Sequence, residues 1–319
     1  MSYKNTSGYK KVQKKRRTRY FYLNDRGNNC EKPDALIGKG AFGTTYRMKS
    51  RIDMGIYAVK HVARSVKSEV QTLVTLFHPN IIRYFSCELK KNKSMWIIME
   101  LIGNGTTIKD ILFSSAYKHR KSIMLQISKA LTYLHDEKNI IHRDIKSSNV
   151  FICGNRIVLG DFGHSVCLNE NRIYKPSENI NGESHLVYRA PEVLNGENYN
   201  AASDMYQLGC LFLEIMTHLT MDEIVGNSDK NGWYRTTYKW LDTTEAGETF
   251  QDILQDETDF CLSCNLKTIL LLLDKDPKQR PKANQIVLIF SPPFKKKIAI
   301  GRYSIHQDNI VSPVRPYSV

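Results

Sequence analysis

Between the short apolar runs Ile140-Ile141 and Val150-Phe151-Ile152 lies His142-Arg143-Asp144-Ile145-Lys146-Ser147-Ser148-Asn149. Strand-like runs on both sides of so polar a segment predict a loop held at its two ends and presenting polar groups over a reaction centre. Each group has a use there. Asp144 can accept a proton from an attacking hydroxyl, Lys146 can neutralise a phosphoryl oxygen, and Asn149 can ligate a hard cation such as Mg²⁺. Those are the parts of a phosphoryl-transfer site. The plain alternative is an ordinary polar turn.

Upstream, Gly38-Lys39-Gly40-Ala41-Phe42-Gly43 lies between two strand-like segments. A glycine hairpin and a dinucleotide-binding turn share that pattern, but here Ile56-Tyr57-Ala58-Val59-Lys60 follows as a strand carrying one lysine. A dinucleotide fold would place a helix immediately after the glycines. Ser68 to Val74 has helical spacing and carries Glu69, ten residues before Pro79. Met95 to Leu101 reads as a buried strand, broken by Ile102-Gly103-Asn104-Gly105. Ile123, Leu125, Ile127, Ala130, Leu131 and Leu134 mark a helix running into the polar loop. Ile157-Val158-Leu159-Gly160 then delivers Asp161-Phe162-Gly163, with Asp161 seventeen residues after Asp144. An acid at a glycine turn is common, and its order and spacing give this one weight. Tyr188-Arg189-Ala190-Pro191-Glu192, Ala202-Ser203-Asp204 and Asp276-Pro277-Lys278-Gln279-Arg280-Pro281 complete the series.

From about Pro33 to Phe290 this series resembles the eukaryotic-type protein kinases. The resemblance implies an α+β, two-lobed fold within a catalytic domain of residues 32–292. A small, mainly antiparallel β N-lobe with one key helix would span 32–101, and a larger, mainly α-helical C-lobe would span 107–292. It further implies a serine/threonine kinase, Lys146 two residues after Asp144 being the Ser/Thr pattern, with ATP and Mg²⁺ as cofactors and a protein as substrate. By resemblance, Asp144 receives the substrate proton, Lys146 steadies the γ-phosphoryl, Asn149 and Asp161 hold Mg²⁺, and Lys60, fixed by Glu69, positions the phosphates. Gly38, Lys39, Gly40, Ala41, Phe42 and Gly43 would close over the nucleotide. Thr45, Ala58, Met99 as gatekeeper, Glu100, Ile102 and Phe151 would surround adenine. Asp204 would anchor the catalytic loop, and Arg280 would pair with Glu192 in the interior. The compact size and the Leu159-Gly160 context also resemble kinases of large DNA viruses.

Some positions depart from the family pattern. Thr45 stands where the family usually has Val, and His185, beside Ser184, stands where Ser/Thr kinases usually have Thr. Residues 164–189 contain no Thr. Arg143, which in the family often awaits an activation-loop phosphate, is therefore expected to meet a modified Ser177, Tyr174 or Ser184, or the fixed charge of Glu178 or Glu183.

The net charge of +14 invites a nucleic-acid reading, so its placement matters. Residues 1–19 carry Lys4, Lys10, Lys11, Lys14, Lys15, Arg16, Arg17 and Arg19 and no acid, and residues 293–319 carry Lys295, Lys296, Lys297, Arg302 and Arg315 against Asp308. The tails thus hold +12 of the +14, whereas a globular nucleic-acid reader carries its basic patch on a folded face. Residues 1–31 are expected to be a disordered basic arm, with Tyr20, Phe21 and Tyr22 where it meets the fold. The cluster Lys14-Lys15-Arg16-Arg17 offers a handle for a polyanion or a nuclear import receptor. Residues 220–260 hold ten acids against Lys230, Arg235 and Lys239, read as a solvated surface.

Seven scattered cysteines suit a reducing, intracellular compartment, cytoplasm or nucleus, better than a disulfide framework. Cys261 and Cys264 form a lone CxxC without the second pair that a zinc site needs. No apolar run is long enough to span a membrane, and neither a signal peptide nor an N-terminal glycine for myristoylation is expected. Two alternatives stay open. A nucleotide-binding pseudokinase scaffold would require a lost catalytic residue, and none is lost; a kinase-fold polyanion binder would rest on the tails alone.

Overall fold

The computed structural model describes residues 19–23, 26, 28–29, 31–40, 43–63, 73–90, 94–113, 120–168, 183–226, 236–255 and 261–291. Six strands build the N-terminal sheet: β1 (Tyr20–Tyr22), β2 (Leu36–Gly40), β3 (Gly43–Ser50), β4 (Ile56–Val62), β5 (Tyr84–Leu89) and β6 (Met95–Met99). All pairings are antiparallel, in the order β1-β3-β4-β6-β5 with β2 also on β3. Because strand side chains alternate between faces, β4 and β6 are apolar on both. Ala58, Ile97 and Met99 face the main core. Val59 and Ile98 face a second, smaller cluster with Tyr20, Tyr46 and Met48.

That second cluster moves the start of the fold. Tyr20 pairs with Ser50 and Tyr22 with Met48, while Tyr20 and Leu23 are buried. Residues 20–23, ahead of the boundary expected at residue 32, are thus part of the N-terminal sheet, where Tyr20 helps to cover Met48 and Val59. The helix expected over Ser68 to Val74 lies largely outside the described residues, Glu69 included.

The C-terminal lobe begins with α1 (Ile108–Ile111) and α2 (Arg120–Thr132), the latter prolonged by a π turn, Tyr133–Glu137. Short strands follow: β7 (Ile140–Ile141), β8 (Val150–Cys153), β9 (Arg156–Leu159) and β10 (Val166–Cys167). β8 pairs with β9, and β7 with β10, so both ends of the polar loop are pinned. After α3 (Pro191–Leu194) comes α4 (Ala201–Thr217), the central pillar of the lobe. Asn200 caps it by accepting hydrogen bonds from the Ala202 and Ser203 N–H groups, and every residue from Ser203 to Met216 is buried. A helix buried all round belongs to a core, so the polar residues it carries must be paired inside the protein. The remaining helices are α5 (Met221–Val225), α6 (Thr237–Trp240), α7 (Thr244–Gln255), α8 (Cys261–Leu272), which packs on α4, and α9 (Ala283–Phe290), which packs on α2. Cys261 and Cys264 begin α8. Among the described residues no helix is long and apolar enough to cross a membrane.

Candidate active site

The polar loop is held from beneath by α4. Asp204 accepts hydrogen bonds from the His142 N–H at 2.7 Å, the Arg143 N–H at 2.8 Å and, at 2.8 Å, the His135 ring. Gln207 accepts from the Ile145 N–H at 3.0 Å and donates to the Arg143 carbonyl at 3.1 Å. Burial by itself would raise the Asp204 carboxyl, but the His135 hydrogen bond and charge and the His142 N–H hold it below the ordinary carboxylate value. This anchoring lets Arg143 adopt φ 69°, a left-handed conformation that non-glycine residues keep only where their surroundings enforce it. The Arg143 guanidinium lies 4.8 Å from the Tyr199 ring.

At the loop's upper surface, Asp144 is gripped from both sides. The Lys146 ammonium is 2.9 Å from its Oδ1, and the Asn149 amide donates to its Oδ2 at 2.7 Å and to its backbone carbonyl at 2.8 Å. Acceptor atoms so held cannot swing away. Because the amide nitrogen of Asn149 is engaged with Asp144, its oxygen faces the other way and takes no hydrogen bond among the described residues.

Asp161 follows β9 with φ 53°, and its Oδ1 is 2.7 Å from the Lys60 ammonium. Phe162 is buried, its ring edge-on to His142 and Tyr84 at 4.7 and 6.0 Å. The His142 ring, 3.0 Å from the Gly160 carbonyl, closes the link between the loop and the Asp161 turn. Lys60 thus bridges the lobes through Asp161; the expected partner Glu69 lies outside the described residues, as do Ala41 and Phe42.

Gly38, Lys39, Gly40, Gly43 and Thr45 form the β2–β3 hairpin. Gly43 has φ +151°, and a Cβ there would fall 2.1 Å from the His61 carbonyl oxygen, so only glycine lets β3 begin this close to β4. Beneath the hairpin, Ala58 pairs with Met99, both buried, and Thr45 pairs with Lys60. Phe151 bridges to Thr107 on the opposite wall. Glu100 gives its N–H to the Arg83 carbonyl at 2.9 Å, so what it can offer a ligand is its carbonyl, and Ile102 is buried beside it. Ala58, Met99 and Ile102 are buried and Phe151 packs against the same core, an apolar set suited to a flat heterocycle. The oxygens of Asn149 and Asp161 are the hard donors a magnesium ion prefers, so the residues present fit both groups.

Below the site, Arg280 donates to both carboxylate oxygens of Glu192 at 2.7 and 2.8 Å, with Ser203 donating to the same carboxylate at 2.9 Å. Both partners are buried, as expected. Sequence reasoning missed a second buried carboxyl. Glu214 of α4 accepts from the Tyr188 hydroxyl at 2.6 Å and from the Met221 N–H at 3.0 Å, with Ser147 against the same group. Burial pushes the Glu214 carboxyl up to about 7. Nothing local marks Glu214; only its spacing along α4 from Asp204 and Gln207 does. Residues 183–188 form a tight turn, and the side chains of Ser184 and His185, with residues 169–182, lie outside the described part.

Comparison with known proteins agrees with this geometry. The protein kinase domain family matches residues 32–289. Mitogen-activated protein kinase kinase kinase 4 of Homo sapiens is 29% identical over 271 residues, covering 79% of this chain and 15% of that protein. Serine/threonine-protein kinase Nek5 of Mus musculus is 32% identical over 193 residues, covering 57% of this chain and 30% of that protein. The probable serine/threonine-protein kinase nek2 of Dictyostelium discoideum is 30% identical over 270 residues, covering 79% and 60%. The chain thus spans less than a third of the length of the first two of these relatives. With the match running through both lobes and every element around Asp144, the chain belongs to the protein kinase family.

Proposed function

We propose that the chain is an ATP-dependent serine/threonine protein kinase that phosphorylates hydroxyls of a protein substrate. The observation that carries this reading is the grip on Asp144 by Lys146 and Asn149, beside an Asp161 that reaches Lys60. Asp144, its carboxylate already oriented, receives the proton of the incoming hydroxyl. Lys146, next to it, offers positive charge where the transferred group gains negative charge. Asn149 and Asp161 are the residues that would hold Mg²⁺, and Lys60 the one that would hold the phosphates. When bound, ATP would supply the phosphoryl group and the metal would neutralise its charge. The glycine hairpin, Thr45, Ala58, Met99, Glu100, Ile102 and Phe151 frame the nucleotide slot, and Glu69, Ala41 and Phe42 are assigned to it by resemblance.

The basic arm is assigned to a polyanion or an import receptor, and the protein to the cytoplasm or nucleus. Among the described residues Cys87, Cys153 and Cys210 form no disulfide, which supports a reducing compartment. The test of catalysis is transfer of labelled γ-phosphate to a mixed peptide array, with Asp144→Asn in parallel. Labelled Ser or Thr peptides with wild type and none with the variant are expected. No transfer by wild type despite ATP binding would leave the scaffold reading.

A further inference from the structure

Beside the Glu100 side chain lies a groove of about 530 Å³. Its floor is Pro79 and Ile81, and its walls carry Phe77, Arg83, Phe85 and the Arg156–Glu100 pair. Phe77 is 71% exposed and Phe85 41%, two large apolar side chains open on one groove. The Arg83 guanidinium stands 4.8 Å from the first ring and 5.5 Å from the second. Its charge meets no carboxylate among the described residues, whereas Arg156 is neutralised by Glu100. Burial lowers the pKa of His78 beside them, which disfavours a second charge there. The groove therefore carries one uncompensated positive charge between two exposed rings.

The floor is preformed. The Tyr133 hydroxyl accepts from the Phe77 N–H at 3.0 Å, and the Asn80 amide donates to Gln126 and to the Ile157 carbonyl, each at 2.8 Å. Phe85 lies on β5, an edge strand whose outer side pairs with no strand among the described residues. An edge strand offers a partner its free N–H and carbonyl groups.

We propose that this groove and the edge of β5 form a docking site for an extended acidic segment of a partner protein. The segment's backbone adds to β5, an apolar side chain enters against Phe77 and Phe85, and a neighbouring carboxylate meets Arg83. The sign of the uncompensated charge selects an acidic partner over a basic one. Docking would also be felt in the cleft, because the Arg83 carbonyl holds the Glu100 N–H and Arg156 holds the Glu100 side chain.

The test is fluorescence polarisation of the full chain with three labelled hexapeptides. The first is Asp-Glu-Phe-Asp-Leu-Glu; the second replaces its acids by Lys; the third replaces its Phe and Leu by Ser. The first should bind saturably, and the other two at least about tenfold more weakly, as lost charge and apolar contacts at an exposed site allow. Arg83→Glu, Phe77→Ser and Phe85→Ser should each weaken the first peptide about five- to tenfold while leaving phosphotransfer to an unrelated short substrate unchanged. All three side chains are exposed, so folding is not at stake. Equal binding of all three peptides, no saturation below about 1 mM, or an affinity indifferent to Arg83→Glu would overturn the proposal. A dimer in sedimentation that Phe85→Ser dissolves would overturn it in favour of a second copy on this face.

Discussion

Asp144 owes its position to neighbours two and five residues away, so its charge can be removed without moving it. Asp144→Asn keeps the shape and loses the acceptor charge, and kcat should fall about 10²- to 10⁴-fold with the KM for ATP near wild type. Steady-state kinetics with varied nucleotide checks both halves. A second residue-scale dependence concerns Gly160, where a Cβ would come within 2.8 Å of the Phe151 ring. Gly160→Ala should push that ring into the nucleotide slot and raise the KM for ATP roughly five- to tenfold, with a smaller effect on kcat. A compensating Phe151→Leu should restore nucleotide affinity. Thr45, which stands where the family usually has Val, pairs with Lys60 in the ordinary ladder.

One helix face organises the chemistry at the scale of elements. Asp204, Gln207 and Glu214 are three and seven positions apart, so a period of 3.6 places all three on one side of α4. The first two fix the catalytic loop and the third fixes Tyr188. Glu214 also makes stability pH-dependent. An acid whose folded value is raised from 4.5 to about 7 binds a proton in the folded state that the unfolded state has released. Its contribution is complete below 4.5 and is lost as pH rises through about 7. Thermal midpoints should fall across that window, and Glu214→Gln, which keeps both hydrogen bonds it accepts, should flatten the fall.

Glu192 behaves in the opposite sense. Burial would raise it, but Arg280 overrides burial and holds it below 4.5, so its contribution is present above 4.5 and lost as pH falls through the lowered value. Arg280→Met leaves a buried carboxylate alone and should cost about 3 to 5 kcal/mol in urea unfolding. Adding Glu192→Leu should recover part of that loss, because the unpaired charge is then gone.

For the whole molecule, the position of β1 separates two truncations. Removing residues 1–18 takes away the basic arm and leaves Tyr20–Tyr22 on β3. Peptide phosphorylation should persist, while salt-dependent retention on a heparin column should weaken. Removing residues 1–31 also strips Tyr20 from the second cluster and takes away the buried Leu23, and soluble yield and thermal midpoint should fall. Turnover lost already in the shorter truncation would make the arm part of the catalytic unit.

By itself the sequence determined what short-range order can encode. Lys60 on a strand, Asp144 with Lys146 and Asn149 in one loop, Asp161 at a glycine turn and the apolar run of β6 are all local patterns, each tied to one backbone geometry. Through the family that their order resembles, the fold class could be read, and with it the Glu192–Arg280 pair, whose partners lie 88 residues apart. The tertiary structure alone decided the rest. That Lys60 reaches Asp161, that Tyr20 closes a second core, that Glu214 titrates near neutrality and that Phe77, Arg83 and Phe85 meet around one groove all depend on which chain segments come to lie together. Burial and charge pairing arise between segments distant in the chain, and no local pattern of residues specifies the neighbour that sets them.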